Sequence, residues 1–312
     1  MLNEYLNKIG FEPNDISFIL SLNRKYADVI EPIVKEYTLN LKSVPYVQYY
    51  GNERELSLNK AEQFVKQAQE KIPDENEYAV NLLAWLNCIP YLHNIYKQLR
   101  ISDEIFYETM KDFVYKAKEC KNVYGVCGVF VHWFFLQFEL KLFSLGRLQY
   151  EIYQFDFDEY TFSNTQIKKG DRVYSCHIPS SGKLTYDMCL DSFQKAYEFF
   201  KPEISGDIIP IICQSWLLYK PYVENVFPKN SNIKQFTDMF DIIDATSAGN
   251  VFSDCWRVFN KMYEGTTEGL PVDNTLRRNF VEYINSGGDF GYGYGIILYD
   301  GKQKKIINLK YT

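Results

Sequence analysis

Four side chains in the second half of the chain are suited to moving protons: Glu151, His177, Ser215 and Tyr219. His177 is the only histidine beyond position 132. It ends a strand-like stretch, where an imidazole titrating near neutrality can take a proton directly or through water. The same place also suits a histidine that only holds a loop in shape. Glu151 alternates with Leu148, Tyr150 and Ile152, so it shares the opposite strand face with Gln149 and Tyr153. If that face lines a cleft, Glu151 is a carboxylate base acting through water; if it meets solvent, the commoner case, it does nothing. The hydroxyls of Ser215 and Tyr219 could donate to a developing negative charge, or be satisfied within the core or at its rim. Cys213, two positions earlier, reads as a small buried hydrophobe more readily than as a nucleophile.

A second set of residues suits anions. Ser180-Ser181-Gly182-Lys183-Leu184-Thr185 joins a strand to a capped helix, which gathers backbone N–H groups, the positive helix end and the Lys183 charge in one place. A Ser-Gly turn before a helix is also a common structural device. Lys168, Lys169, Arg277 and Arg278 are further cations, of the kind that is usually solvated surface.

Composition narrows the partners. The chain has 312 residues with 34 Lys+Arg against 40 Asp+Glu, a formal charge of −6, so there is no general electrostatic case for nucleic acid or an anionic membrane. Seven cysteines, odd in number and without a Cys-x-x-Cys, read as reduced cytoplasmic thiols. The three histidines lack partners at metal spacing, so no metal is expected. The N-terminus has no signal-peptide pattern, and the apolar run from Val123 to Phe138 is short for a membrane span and long enough for a buried helix. Aromatic residues reach 17% and are read mainly as core.

The elements that must position these groups fall into unlike halves. Up to about residue 142 apolar residues recur three and four apart, as in Ile16, Ile19 and Leu20 or Leu82, Leu83 and Leu86, predicting five to seven bundled helices. Gly10 closes the first, Ser102 caps a helix over Ile105 to Cys120, and Pro13, Pro73 and Pro90 begin or interrupt others. Beyond that point strands are expected at Leu148 to Tyr153 and Arg172 to Ile178, then a helix from Thr185 to Phe200 with Met188, Phe193, Ala196, Tyr197 and Phe200 on one stripe. Ile208 to Leu218 reads as a central strand covered on both faces. Phe240 to Ile243 is a short strand, Ser253 to Tyr263 and Asp273 to Ser286 are helices, and a hairpin turns at Asp300-Gly301. The alternation of Gly291, Gly293 and Gly295 points to close backbone approach or a bulge.

Several spaced motifs in the second half are similar to one family. Gly146-Arg147-Leu148-Gln149, His177-Ile178-Pro179 with Gly182 and Leu184, Cys213-Gln214-Ser215-Trp216-Leu217-Leu218, Ser231-Asn232-Ile233 with Phe236, Leu270-Pro271 with Leu276 and Arg278, and the closing glycines occur in the family's order over some 150 residues. They resemble bacterial two-domain acyltransferase-like proteins that have a helical N-acyltransferase N-terminal domain and a GNAT-like C-terminal domain. Gln214, Asn274, Arg277 and Phe290 depart from the residues usual there, and the Q/R-x-x-G-x-G/A loop common in GNAT enzymes is absent. The resemblance implies an α+β chain: an all-helical domain over 1–142, then a GNAT-like mixed-sheet α/β domain over 143–312. It further implies transfer of an acyl group from acyl-CoA, acetyl-CoA or longer, to a small-molecule or peptide amine. His177, Ser215, Tyr219 and Glu151 are then the candidates for the chemistry, and Ser180 to Thr185 with Arg278 for the coenzyme's phosphates. A ligand-binding or scaffolding protein that kept the fold is the alternative.

Overall fold

The computed structural model describes residues 1–39, 41 and 44–309. The chain forms two compact units, Met1–Ser144 and Leu145–Thr312.

The first unit is helical. α1 (Leu2–Ile9), α2 (Pro13–Leu39), α3 (Glu53–Lys71), α4 (Glu77–Gln98), α5 (Asp103–Met110) and α6 (Asp112–Tyr124) are followed by the single turn α7 (Phe135–Phe138). The sequence rules for helix ends operate here: Gly10 closes α1 with φ +96°, Pro13 opens α2, and the Asn76 and Ser102 side chains accept N–H bonds at the starts of α4 and α5. α4 is the hub, and α1, α2, α3, α5 and α6 all pack on it. Its Trp85 is fully buried and stacks on Phe138, with ring centroids 5.2 Å apart.

Three expectations change in this unit. Pro90 lies inside an unbroken α4. The helix expected from Ile105 to Cys120 is two, parted at Lys111. The run from Val123 to Phe138 is mostly core but helical only at its two ends, in the last residues of α6 and in α7. After Gly125 ends α6 in the left-handed region, the chain lies against the start of α4: Val129 N–H donates to the Tyr78 carbonyl at 2.9 Å and the Asn81 amide donates to the Val129 carbonyl at 3.3 Å. These backbone bonds to α4 take the place of intrahelical ones.

The sheet begins at β1 (Leu142–Leu145), within which the chain passes from one unit to the next. β2 (Leu148–Gln154), β5 (Arg172–His177), β6 (Ile208–Ser215), β7 (Asp241–Gly249), β8 (Phe290–Asp300) and the short β9 (Lys305–Ile306) complete it in the order β1-β2-β5-β6-β8-β7, with β9 on β8. β6 is central, as its apolar composition requires, and ends in a 3-10 turn, Trp216–Leu218. β3 (Glu159–Phe162) and β4 (Thr165–Lys168) form a separate hairpin that the sequence reading missed, although Tyr160, Phe162, Thr165 and Ile167 alternate around Ser163-Asn164.

Each face of the sheet has its own cover. α8 (Tyr186–Phe200) packs on the face of Tyr150, Tyr174 and Tyr299, through Ser192, Phe200 and Phe193 respectively. Met188, expected on its buried stripe, is exposed because the helix turns Cys189, Ser192, Phe193, Ala196 and Phe200 inward instead. The other face carries Val173, Ile212, Tyr294, Ile296 and Leu298, which cluster with Tyr160 and Ile167 of the hairpin. The remaining helices are α9 (Lys220–Asn225), α10 (Asn232–Thr237), α11 (Cys255–Phe259) and α12 (Thr275–Asn285). α11 is shorter than expected, and β7 is longer, reaching Gly249. No helix among the described residues is long and apolar enough to cross a membrane.

Candidate active site

The sheet contains one parallel pair, β5 beside β6, and it is joined over only Tyr174↔Ile211 and Ser175↔Ile212. Both strands continue past that point. β5 stays paired to β2 as far as His177, and β6 stays paired to β8 as far as Ser215. Past Ser175 and Ile212 the ladder between them has a gap: no further pair joins β5 to β6, although the Cys176 and Cys213 side chains still touch. A gap between two central strands leaves backbone donors and acceptors for an extended ligand, which can pair there as a strand would.

The β5 arm carries charge. Glu151 pairs with Ser175 and Gln149 with His177, so Glu151, Ser175 and His177 share the hairpin-side face. His177 Nε2 stands 3.1 Å from Glu151 Oε2. The Glu151 side chain is 1% exposed and that of His177 40%. Glu151 therefore does not face solvent; it is a buried carboxylate holding the ring of an accessible imidazole. With Nε2–H donated to the carboxylate, the Nδ1 lone pair is the one that can accept a proton.

Past His177 the chain makes the loop that leads to α8. Arg147 shapes it: Nε donates to the Lys183 carbonyl at 2.8 Å, Nη1 to Pro179 at 3.0 Å and Nη2 to Gly182 at 3.0 Å. One buried guanidinium thus draws three carbonyls inward, and Gly182 completes the turn at φ +109°. Ser181 N–H donates to the Pro179 carbonyl, and the Thr185 side chain caps α8 by accepting from Met188 N–H. Leu184 is buried while Ser180, Ser181, Gly182 and Lys183 are exposed. The N–H groups of Tyr186 and Asp187 open the helix without intrahelical partners. This exposed turn, beside the Lys183 charge and a positive helix end, can hold phosphate oxygens.

The β6 arm is built from hydroxyls and glycines. Ser215 lies on the α8 side of the strand, and its Oγ accepts the Leu217 N–H at 3.2 Å, capping the 3-10 turn. Tyr219 donates to Asp289 Oδ2 at 2.8 Å, and Ser247 donates to the same oxygen at 2.6 Å. Tyr283 donates to the Asp289 carbonyl at 2.9 Å. Hydrogen bonds from Ser247 and Tyr219 hold the Asp289 carboxyl below its ordinary value, while burial and then that carboxylate push the Tyr219 hydroxyl up. The glycine alternation is close approach: a Cβ at Gly291 would stand 2.6 Å from the Tyr219 ring, and one at Gly293 would overlap the Leu218 carbonyl.

The structure thus brings Glu151, His177 and the Ser180 to Thr185 loop to one arm of the gap, and binds Ser215 and Tyr219 into the framework of the other. Arg278 lies on α12 and donates to the Val272 carbonyl and Thr275 Oγ1; Arg277 donates to Asp273 and the Val258 carbonyl. Lys168 is on the hairpin and Lys169 just beyond it. Cys176, Cys189 and Cys213 are buried, and burial pushes the Cys189 thiol up to about 12, so its thiolate is not available as a nucleophile. Among the described residues no group of three or more His, Cys, Asp or Glu is placed to hold a metal. Arg147 was legible only as part of a motif; its role depends on which carbonyls fold back onto it.

Solved structures with the same fold are acyltransferases. One, in complex with decanoyl-CoA, matches with a TM-score of 0.65 and 19% identity over 94% of this chain and 86% of its own. A second, in complex with decanoyl-CoA and teicoplanin, matches at 0.60 and 17% over 95% and 99%. A third, with CoA and 10C-teicoplanin, matches at 0.59 and 17% over 95% and 98%. No curated protein matches in sequence. Residues 1–140 match an N-acyltransferase N-terminal domain and residues 142–297 a GNAT-like C-terminal domain, so the chain belongs to the acyltransferase family that this pair of domains defines.

Proposed function

We propose that this chain is an acyl-CoA-dependent N-acyltransferase whose donor lies in the gap between β5 and β6. The observation that carries the reading is the end of the ladder between these strands after Ser175 and Ile212, with an accessible imidazole on a buried carboxylate beside it. The pantetheine arm pairs with the open edge of β5, and the pyrophosphate rests on the Arg147-shaped turn with Lys183 beside it. Arg278 stands apart from that reading, since its guanidinium is engaged locally.

The reaction needs a neutral amine. An ammonium acceptor gives its proton to His177 Nδ1, directly or through water, and Glu151 stabilises the imidazolium that results. The amine nitrogen then attacks the thioester carbonyl carbon, and the π pair moves onto oxygen. Collapse restores the carbonyl and breaks the C–S bond, whose electron pair leaves on sulfur; the thiolate takes up one proton as the new amide nitrogen loses one. The products are an amide and CoA thiol. Ser215 and Tyr219 support this by fixing the β6 arm rather than by donating to the reacting atoms.

Decanoyl-CoA is the first donor to test, because acyltransferases of the same fold hold it. Calorimetric titration with CoA and decanoyl-CoA should give saturable binding, and thiol release over a panel of small-molecule and peptide amines should identify the acceptor. Absence of coenzyme binding would refute the reading; binding without turnover on any amine would favour a ligand-binding role.

A further inference from the structure

We infer that Gln214 is a catalytic residue of this reaction, the side chain that donates a hydrogen bond to the thioester oxygen from the β6 side of the gap. The inference rests on the N-acyltransfer reading above.

Four observations lead there. The register Tyr174↔Ile211 and Ser175↔Ile212, continued by two positions, sets Gln214 opposite His177. Gln214 pairs with Tyr294 and Ile212 with Ile296, so Gln214 is on the hairpin-side face, the one that carries Ser175 and His177. Its neighbours in β6 before the gap, Ile211, Ile212 and Cys213, are buried, whereas Gln214 is exposed. The cover on the hairpin-side face has therefore ended by Gln214, as it has at Tyr292 of β8, and Gln214 opens on the same face as the half-exposed His177. Its carboxamide also has no hydrogen-bond partner among the described residues, whereas Ser215 is bound to Leu217 N–H, and Tyr219 and Ser247 to Asp289.

The chemistry fits a carboxamide. As the amine attacks, negative charge grows on the thioester oxygen, and a fixed N–H donor stabilises it more than it stabilises the ground-state carbonyl. A neutral amide supplies that donor without an ionisation of its own. His177 stands across the gap to take the nitrogen's proton, so the two arms act on opposite ends of the forming C–N bond.

The test uses the full chain with decanoyl-CoA as donor and hydroxylamine as a minimal amine, followed by thiol release corrected for the uncatalysed reaction. Gln214→Ala should lower kcat about 100-fold, with the melting temperature and the CoA dissociation constant unchanged because the side chain is exposed and unbonded. The loss should be the same at every pH, because a carboxamide does not ionise. Gln214→Glu, which puts a negative charge beside the oxyanion, should be at least as slow as Gln214→Ala. A Gln214→Ala enzyme with wild-type kcat, or one altered only in the KM for amine, overturns the assignment and leaves the N-acyltransfer reading standing. A wild-type chain that binds decanoyl-CoA and releases no thiol overturns both.

Discussion

The two arms of the gap start from the same parallel pair and are built in opposite ways. The β5 arm is polar and partly open: a buried carboxylate holds a ring, a buried guanidinium holds a loop, and the groups left over face outward. The β6 arm is locked. Its hydroxyls on Tyr219 and Ser247 converge on one carboxylate, its glycines admit the turn that follows β6, and the Gln214 carboxamide has no hydrogen-bond partner among the described residues. One arm therefore holds reactive groups in place, and the other holds the width of the opening. Residue type alone would not separate them, since both arms contain Ser, Tyr and acidic residues.

The comparison can be broken first at Arg147. Arg147→Ala leaves three inward-turned carbonyls without a partner, so it should cost about 3 kcal/mol in denaturant unfolding and weaken CoA binding at least about tenfold. Unchanged CoA affinity would mean the loop does not depend on the guanidinium. Next is His177→Ala, which should lower turnover about 100-fold with little change in melting temperature, because the side chain is half exposed. A variant that instead unfolds marks His177 as structural. Gly293→Ala tests the locked arm, where the added methyl overlaps the Leu218 carbonyl and should destabilise by about 2 kcal/mol.

The smallest effect is a pH dependence. Asp289 has its carboxyl held below the ordinary 3.8, so its share of stability is present above that value and is lost as pH falls through the lowered one. Asp289→Asn should therefore melt lower than wild type at neutral pH, and the difference should narrow at the acid end. A constant difference across pH would detach the ionised carboxylate from the lock.

Much of this was legible in the sequence where the cause is local. Thr185 and Ser102 cap helices because a short side chain next to a chain turn reaches the first free N–H groups, and the apolar run of β6 announced a strand covered on both faces. Alternation also placed Glu151 on the face away from Tyr150. It did not reveal what covers that face, so solvent was the expected neighbour and a buried contact with His177 is the outcome.

The hairpin over residues 159–168 was missed although its alternation is present, because four-residue strands give too short a signal to stand out from a loop. The break at Lys111 and the strap along the start of α4 likewise have no local breaker beyond Gly125; partners distant in sequence decide them.

By itself, then, the sequence determined the helical half, the mixed α/β half, the order of motifs and the strand-to-helix turn at Ser180 to Thr185, since each follows from neighbours within a few residues. Only the tertiary structure decided that β5 and β6 join over two residue pairs and no more. It alone set Glu151 beneath His177, sent Arg147 to three carbonyls and put Gln214 on the face that carries His177. The reason is that parallel pairing links segments some 37 positions apart, as Tyr174↔Ile211 does, and no periodicity within either segment encodes their register.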